Sequence, residues 1–391
     1  MRIGIVLPEA PQYSETFFNH KIRGLTESGF DVIVFSNKKE KKKIGFEIKS
    51  AYPVLEKNPV KQTAMMIWVL GLTFIKAPKK FIRLFNIELK DGGSVSKSLK
   101  SVYINSHILT EKIDCLHFGF ATMALKRENV AKAVNAKMSV SFRGFDINIY
   151  PLKNPGCYDL LWKKTDKVHS ISDYLYKKSL RLGLSKDVFY RKITPAIDIK
   201  QFRVKDNQGN IGNKIRILTI GRLNWIKDYE TAISAMKILK EKGIDFIYNI
   251  VGAGTELERL TFAVYQSGLQ DRVFFSGKKE HKEINNMMRE SDIYLQTSMQ
   301  EGFCVSVLEA QASGLLCIVS DADGLKENVQ EDVTGWIVKR RDPQAFASKI
   351  EYVINMPEYK RKEVSINARK RVEESFTIEN QNLLFKEFFN S

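Results

Sequence analysis

Four cysteines and five histidines in 391 residues leave little material for a metal or disulfide framework. Cys115, Cys157, Cys304 and Cys317 fall in or beside apolar runs with no paired ligand spacing, which suits a reducing compartment. No metal-ligand cluster is visible, so neither a metal nor another cofactor is expected. Long hydrophobic runs are also missing. The longest, residues 64–75 (AMMIWVLGLTFI), falls short of the roughly 20 residues that a membrane-spanning helix needs. Met1-Arg2 leads straight into the strand-like IGIVLP with no apolar leader or small-residue cleavage site, so the expected location is the cytoplasm. No repeat period appears, which excludes solenoids and propellers. A helix-turn-helix, a zinc finger and an aromatic-basic RNA motif are likewise missing, and nucleic acid is not an expected partner.

What is present is globular in composition, with 43% hydrophobic and 27% charged residues and enough length for two domains with their own cores. The charge is unevenly placed. Residues 1–210 carry 37 Lys+Arg against 19 Asp+Glu, a balance of +18, whereas residues 211–391 carry 25 against 26. A basic half suits an anionic surface such as phospholipid or a lipid-linked pyrophosphate.

Strand-like and helix-like patterns alternate along the chain, the signature of doubly wound α/β sheets. Residues 2–7 read as a buried strand, 14–28 as a helix capped by Ser14 with Glu15 in its first turn, Gly29 as its stop and 31–35 as a second strand. Residues 60–90 read as helical. Their Trp68, Phe74, Phe81 and Phe85, set among Lys76, Lys79, Lys80 and Arg83, suit a helix lying on a membrane, which would give residues 64–85 an anionic inner-membrane partner. A core helix followed by a basic surface helix reads the same way. A strand over 113–118 ends in His117, and one over 137–142 ends in Arg143-Gly144-Phe145-Asp146, where an arginine suits a phosphate or carboxylate. The glycine-rich stretch 207–213 (NQGNIGN) is the best linker, dividing a first domain (1–206) from a second (214–375), with a last helix at 376–391.

In the second half the strand 215–220 runs into GRLNWIKDYE. Gly221 allows the turn, and Arg222 and Lys227 place two cations beside the next helix's N-terminus, a combination that would hold a diphosphate. The strand 246–251 leads into Gly252-Ala253-Gly254, and a strand at 273–276 into Gly277-Lys278. Residues 297–319 then read as strand end, loop, helix and strand. Glu301 and Glu309 stand seven residues apart, flanking Gly302 and the helix start, so one carboxylate can meet a ligand's head and the other a group further along. An ordinary amphipathic helix with two solvated glutamates has the same spacing.

The stretch EGFCVSVLEA resembles the Glu-x7-Glu motif of retaining glycosyltransferases of the GT-B fold, family 4 of the sequence classification. The resemblance implies two Rossmann-like domains facing a cleft, the second holding a nucleotide-sugar donor and the first an acceptor, with the C-terminal helix crossing back to the first. It implies that Glu301 and the amides of Gly302, Phe303 and Cys304 contact the donor sugar and that Glu309 binds the ribose. Arg222 and Lys227 match the family's G-R-L-x...K and would hold the donor's phosphates. Gly221, Gly252, Gly254 and Lys278 lie in stretches that resemble its other donor-side turns. His117 in DCLHFGF resembles the family's strand-end histidine close to the donor sugar. Arg143 and Asp146 match an R-G-x-D variant, and Ser14-Glu15 the S-E-T-F branch of bacterial exopolysaccharide enzymes, both on the acceptor side. Where relatives carry Asn-Gly this chain has Pro195-Ala196, which puts any ligand contact there in doubt.

The reaction implied is retaining sugar transfer from a UDP- or GDP-sugar to a hydroxyl of a glycan or lipid-linked acceptor in bacterial surface polysaccharide synthesis. Same-face displacement would let the departing phosphate take the acceptor's proton, with no metal and no protein base. A sugar-nucleotide epimerase or another GT-B enzyme, and a non-catalytic polysaccharide- or membrane-binding module, are the alternatives.

Overall fold

The computed structural model describes residues 1–9, 16–38, 45–55, 58–204 and 208–391. The chain forms two units: Met1–Ile193 with Asn382–Ser391, and Thr194–Gln381.

The first unit is built on β1 (Arg2–Leu7), β2 (Asp31–Ser36), β3 (Glu47–Ser50), β4 (Cys115–Phe118), β5 (Lys137–Phe142), β6 (Lys167–Ser170) and β7 (Phe189–Lys192). They pair in the order β3-β2-β1-β4-β5-β6-β7, every pair parallel. A parallel sheet covered on both faces demands near-continuous apolar strands. β1 obeys this with RIGIVL, in which every residue after Arg2 is buried. Phe385, Phe388 and Phe389 of the last helix, Ile378–Asn390, join this unit's core beside Ile3, Ile5 and Leu7. Each such side chain stabilises by about 1.5–3 kcal/mol, which is what holds the end of the chain here.

The second unit carries β8 (Ile215–Ile220), β9 (Phe246–Val251), β10 (Val273–Phe275), β11 (Ile293–Gln296), β12 (Leu316–Ser320) and β13 (Trp336–Val338). The order is β10-β9-β8-β11-β12-β13, again all parallel. Its core runs from Phe246 and Tyr248 to Trp336 and Phe346.

The units divide at Ile193/Thr194, ahead of the expected linker at 207–213. Hydrogen bonds explain the difference, since the segment after Thr194 is tied to the second unit. Ile197 N–H donates to Phe376 O at 3.0 Å, Arg369 Nη1 to Phe202 O at 3.1 Å and Arg361 Nε to Gly209 O at 2.7 Å. Residue 207 itself lies outside the described residues.

Helices Pro59–Lys76 and Pro78–Lys90 occupy the stretch read as helical, broken at Ala77. A further helix, Val95–Leu109, had no clear sequence signal. Its inward face includes Ser98, Ser101, Asn105 and Ser106, which disguise the apolar stripe.

Candidate functional site

In the second sheet the strand order reverses between β8 and β11, which are direct neighbours with Ile293 opposite Ile217 and Tyr294 opposite Leu218. Open α/β sheets bind ligands beyond the carboxyl ends of their strands at such a switch point. The loops leaving these two strands carry Gly221, Arg222 and Lys227 on one side and Glu301 on the other. Tyr294 ties the two ends together: its hydroxyl donates to Ile220 O at 3.2 Å and lies 2.7 Å from Ser306 Oγ. Met299 N–H donates to Ile226 O at 2.8 Å, and Thr297 Oγ1 to Asp228 O at 2.9 Å, so the loops are laced before any ligand arrives.

At their meeting point Lys227 Nζ lies 2.6 Å from Glu301 Oε1, and Ser298 Oγ donates to the same oxygen at 2.9 Å. Both charged side chains are largely buried. Burial alone would lower the Lys227 pKa, but the Glu301 carboxylate more than offsets it and holds the ammonium above its ordinary value. Glu301 Oε2 is left for another donor. Arg222 is exposed and pairs with no carboxylate among the described residues. Gly221 leaves space for the lysine stem, since a Cβ there would lie 3.2 Å from Lys227 Cε.

The turn after Glu301 leads into the helix Val305–Ala312. The N–H groups of Gly302 and Phe303 have no partner among the described residues, and together with the helix start they form an electropositive edge. Cys304 departs from expectation. Its N–H donates to Asn328 Oδ1 at 3.0 Å and is therefore not open to a donor sugar. The carboxylate of Glu309, in the second turn of that helix, accepts no hydrogen bond among the described residues. Burial pushes its carboxyl up to about 7.

Gly252 and Gly254 serve the loops themselves. A Cβ on Gly252 would fall 1.9 Å from Gly221 O, and one on Gly254 2.1 Å from Leu223 O, so the Gly221–Leu223 backbone rests directly on both. Gly252 N–H donates to Gly277 O at 2.9 Å, which brings the turn before the exposed Lys278 alongside. A cavity of about 420 Å³ opens next to this region, lined by Asn224, Trp225, Asp228, Met299 and Arg341 among others; Lys227, Glu301 and Glu309 do not line it. Among the described residues no group of three or more His, Cys, Asp or Glu side chains could hold a metal ion.

The first-unit candidates fare differently. His117 was expected at an open strand end, but it is fully buried. Its Nε2 lies 2.7 Å from Lys21 Nζ and 3.0 Å from Ser141 Oγ, and its Nδ1 2.8 Å from Ser139 Oγ. Phe388 and Phe389 pack edge-on against its ring. His117 precedes the last residue of β4, and its side chain lies on a face of the sheet that is covered, so it is a core residue. Asp146 is corrected in the same sense. It is 1% exposed and accepts from the backbone N–H groups of Ala121, Arg143 and Gly144 at 3.1, 3.0 and 2.8 Å, anchoring the loop after β5. Arg143 lies with its guanidinium carbon 3.6 Å from the centroid of the Phe17 ring. Ser14 and Glu15 lie outside the described residues.

Ser298, Tyr294, Asn328 and Arg371 also shape the site, and sequence reading missed them. Tyr294 had a usable signal, a hydroxyl early in the buried strand IYLQ. Asn328 and Arg371 had none, because their partners are distant in sequence.

Residues 201–371 match the model of a family described as Glycosyl transferases group 1. The amylovoran biosynthesis glycosyltransferase AmsK of Erwinia amylovora is 26% identical over 406 residues, covering 99% of this chain and 98% of its own. The UDP-Gal:alpha-D-GlcNAc-diphosphoundecaprenol alpha-1,3-galactosyltransferase of Escherichia coli is 28% identical over 203 residues, 48% of this chain and 50% of its own. HepE of Anabaena, solved in complex with UDP and glucose, matches with a TM-score of 0.72 at 15% identity over 100% of this chain and 99% of that one, a likeness of fold.

Proposed function

We propose that the chain is a glycosyltransferase, and a retaining one of family 4, since residues 201–371 match the glycosyl transferases group 1 model and the two parallel-sheet units have the GT-B fold. It moves a sugar from a UDP- or GDP-sugar to a hydroxyl of a glycan or lipid-linked acceptor in bacterial surface polysaccharide synthesis. The Lys227–Glu301 pair beside the uncompensated Arg222 carries this reading. Two cations at a switch point match the charge of a diphosphate leaving group, and cations set in place before the reaction stabilise that charge without reorganising.

In this reading Arg222 and Lys227 hold the diphosphate, and Glu301, held in place by Lys227, accepts from donor-sugar hydroxyls through Oε2. The free N–H groups of Gly302 and Phe303 face the same sugar. Glu309 accepts from the ribose hydroxyls. The departing phosphate oxygen takes the acceptor's proton, so transfer proceeds on one face of the sugar with retention and needs no metal.

A thermal-shift panel of UDP, GDP, ADP and CMP tests the donor side, because a ligand at 100 times its Kd stabilises by about 2.7 kcal/mol. Incubation of the matching sugar nucleotides with isolated lipid-linked acceptors then gives a product whose anomeric configuration NMR reads. Inverted product would reject the retaining assignment, and stabilisation by none of the nucleotides would reject the donor site.

The relatives' names and the charge of residues 1–210 support work at the inner face of the membrane. Helix Pro59–Lys76 contains no acidic residue and leaves Val60, Ile67, Trp68, Phe74 and Ile75 exposed, at spacings that keep one face apolar. No helix among the described residues is long and apolar enough to cross a membrane. Of the expected cations, Lys80 donates to Glu111 O and Arg83 to Asn135 Oδ1. Lys76 and Lys79, with Lys61, are exposed and take the role of meeting anionic headgroups.

A further inference from the structure

We infer that Asn328 and Arg371 are positioning residues that hold the Gly302–Cys304 turn in its working geometry, an inference that rests on reading this turn as the donor-sugar cradle. Asn328 ends the short helix Asp323–Asn328 and is wholly buried, so it touches no ligand. Its amide brackets one residue. Oδ1 accepts from Cys304 N–H at 3.0 Å and Nδ2 donates to Cys304 O at 2.8 Å. Two contacts on opposite sides of a single residue fix its backbone dihedrals, and hence the direction of the Gly302 and Phe303 N–H groups just before it.

The bracket is itself held. Arg371 Nη1 donates to Asn328 O at 2.6 Å and Nη2 to Glu327 O at 2.8 Å, while Gln311 Nε2 donates to Asn328 O at 3.1 Å. The guanidinium carbon of Arg371 lies 4.8 Å from the Phe376 ring centroid, and that ring lies 5.7 Å from the ring of Phe303. The contacts therefore close a loop through Phe303, Cys304, Asn328, Arg371 and Phe376. Phe376 stands at the break between helices Glu358–Ser375 and Ile378–Asn390, where its carbonyl accepts from Ile197 N–H. The turn's geometry is set by a residue where the chain turns from one helix into the next, and neither Asn328 nor Arg371 is needed to hold the β8–β11 switch point together. A bound sugar then meets donors already aimed, with little ordering left to be done.

The test compares wild type with Asn328→Ala, Arg371→Ala and Arg371→Lys by hydrogen exchange and by binding. The probes are UDP-glucose, UDP-galactose, UDP-N-acetylglucosamine and GDP-mannose, with UDP and GDP as controls. In both alanine variants residues 301–306 exchange faster while β8 and β11 keep their protection. Affinity for the best sugar nucleotide falls by the order of tenfold to a hundredfold, whereas that for its nucleoside diphosphate changes by about twofold or less. Arg371→Lys, which keeps one donor for Asn328 O, recovers part of the loss. Unchanged exchange at 301–306 would overturn the inference, as would equal losses for sugar nucleotide and nucleoside diphosphate. If wild type binds none of the probes, the donor-site reading fails, and the exchange experiment decides the bracket by itself.

Discussion

Lys227 Nζ and Glu301 Oε1 meet at 2.6 Å although 74 positions separate them in the chain, and their side chains are only 16% and 14% exposed. Each is the other's principal neutralising partner, so removing either leaves a charge that burial penalises.

This makes their effects on turnover large and non-additive. Lys227→Ala and Glu301→Gln should each cost on the order of a hundredfold or more in kcat, with the loss in the double variant well below the product of the two single losses. Steady-state assays on the three variants, with melting curves to show that each is folded, form the check. Strictly multiplicative losses would count against a coupled pair.

Glu309 imposes a pH dependence of two opposite signs. An unfolded glutamate titrates near 4.3, whereas burial holds this one up to about 7. Between those values the folded chain keeps a proton that the unfolded chain has lost, so stability without ligand declines as pH rises through this window and levels off above it. With Glu309 in the proposed ribose-binding role, nucleotide binding should run the other way, because the ionised carboxylate is the better acceptor for ribose hydroxyls. Affinity for the matching nucleoside diphosphate should rise between about pH 6 and pH 8, and Glu309→Gln should flatten that rise. Calorimetry at the two pH values measures it, and an unchanged slope in Glu309→Gln would move the titration elsewhere.

The buried histidines of the first unit act in the reverse sense. Burial first, and then repulsion from Lys21 and Arg143, keeps His117 and His169 far below the ordinary histidine value, although the bond between His169 Nε2 and Ile193 O at 2.8 Å acts in the opposite sense. The unfolded chain protonates these rings near pH 6.5 and the folded chain does not. Their contribution is complete above that pH and is lost as pH falls below it. Denaturation at about pH 5 should show a lower midpoint than at pH 7, and His117→Ala should cost about 2–4 kcal/mol in stability at neutral pH, since it strands Lys21, Ser139 and Ser141. A variant with full stability and lost turnover would instead return His117 to the catalytic machinery.

For the exposed helix the expectation separates two sets of cations. Replacing Lys61, Lys76 and Lys79 with Ser, or Ile67 and Trp68 with Ser, should release the protein from vesicles containing phosphatidylglycerol without changing nucleotide affinity. Each cation near an anionic surface contributes about 1 kcal/mol. Lys80→Ser and Arg83→Ser should act mainly through local stability, because both donate within the first unit. Co-sedimentation as strong with phosphatidylcholine alone, or dimerisation through this face in solution, would rule out an anionic membrane as its partner.

The sequence by itself determined the two parallel-sheet units and the donor-side motifs. Strands such as 137–142, 215–220 and 246–251 match the structure end for end, because a strand buried on both faces must be apolar throughout and that pattern is local. Helix caps are equally local: Ser172 and Asp342 cap their helices by accepting from Leu175 N–H and Ala345 N–H, within a few residues. Arg222, Lys227, Glu301 and Glu309 were legible for a similar reason, since each lies a fixed distance past a strand end. Only the tertiary structure decided which way a side chain faces and what it meets. A strand shows that one of two faces is taken, but the cover over His117 comes from Phe388 and Phe389 near the other end of the chain. The Cys304 N–H looks free in EGFCVS until Asn328 arrives from 24 residues away. Hydrogen bonds that close over long stretches of chain leave no periodic trace, so the sequence shows where the candidate donor site lies and the fold shows which of its groups are left unpaired.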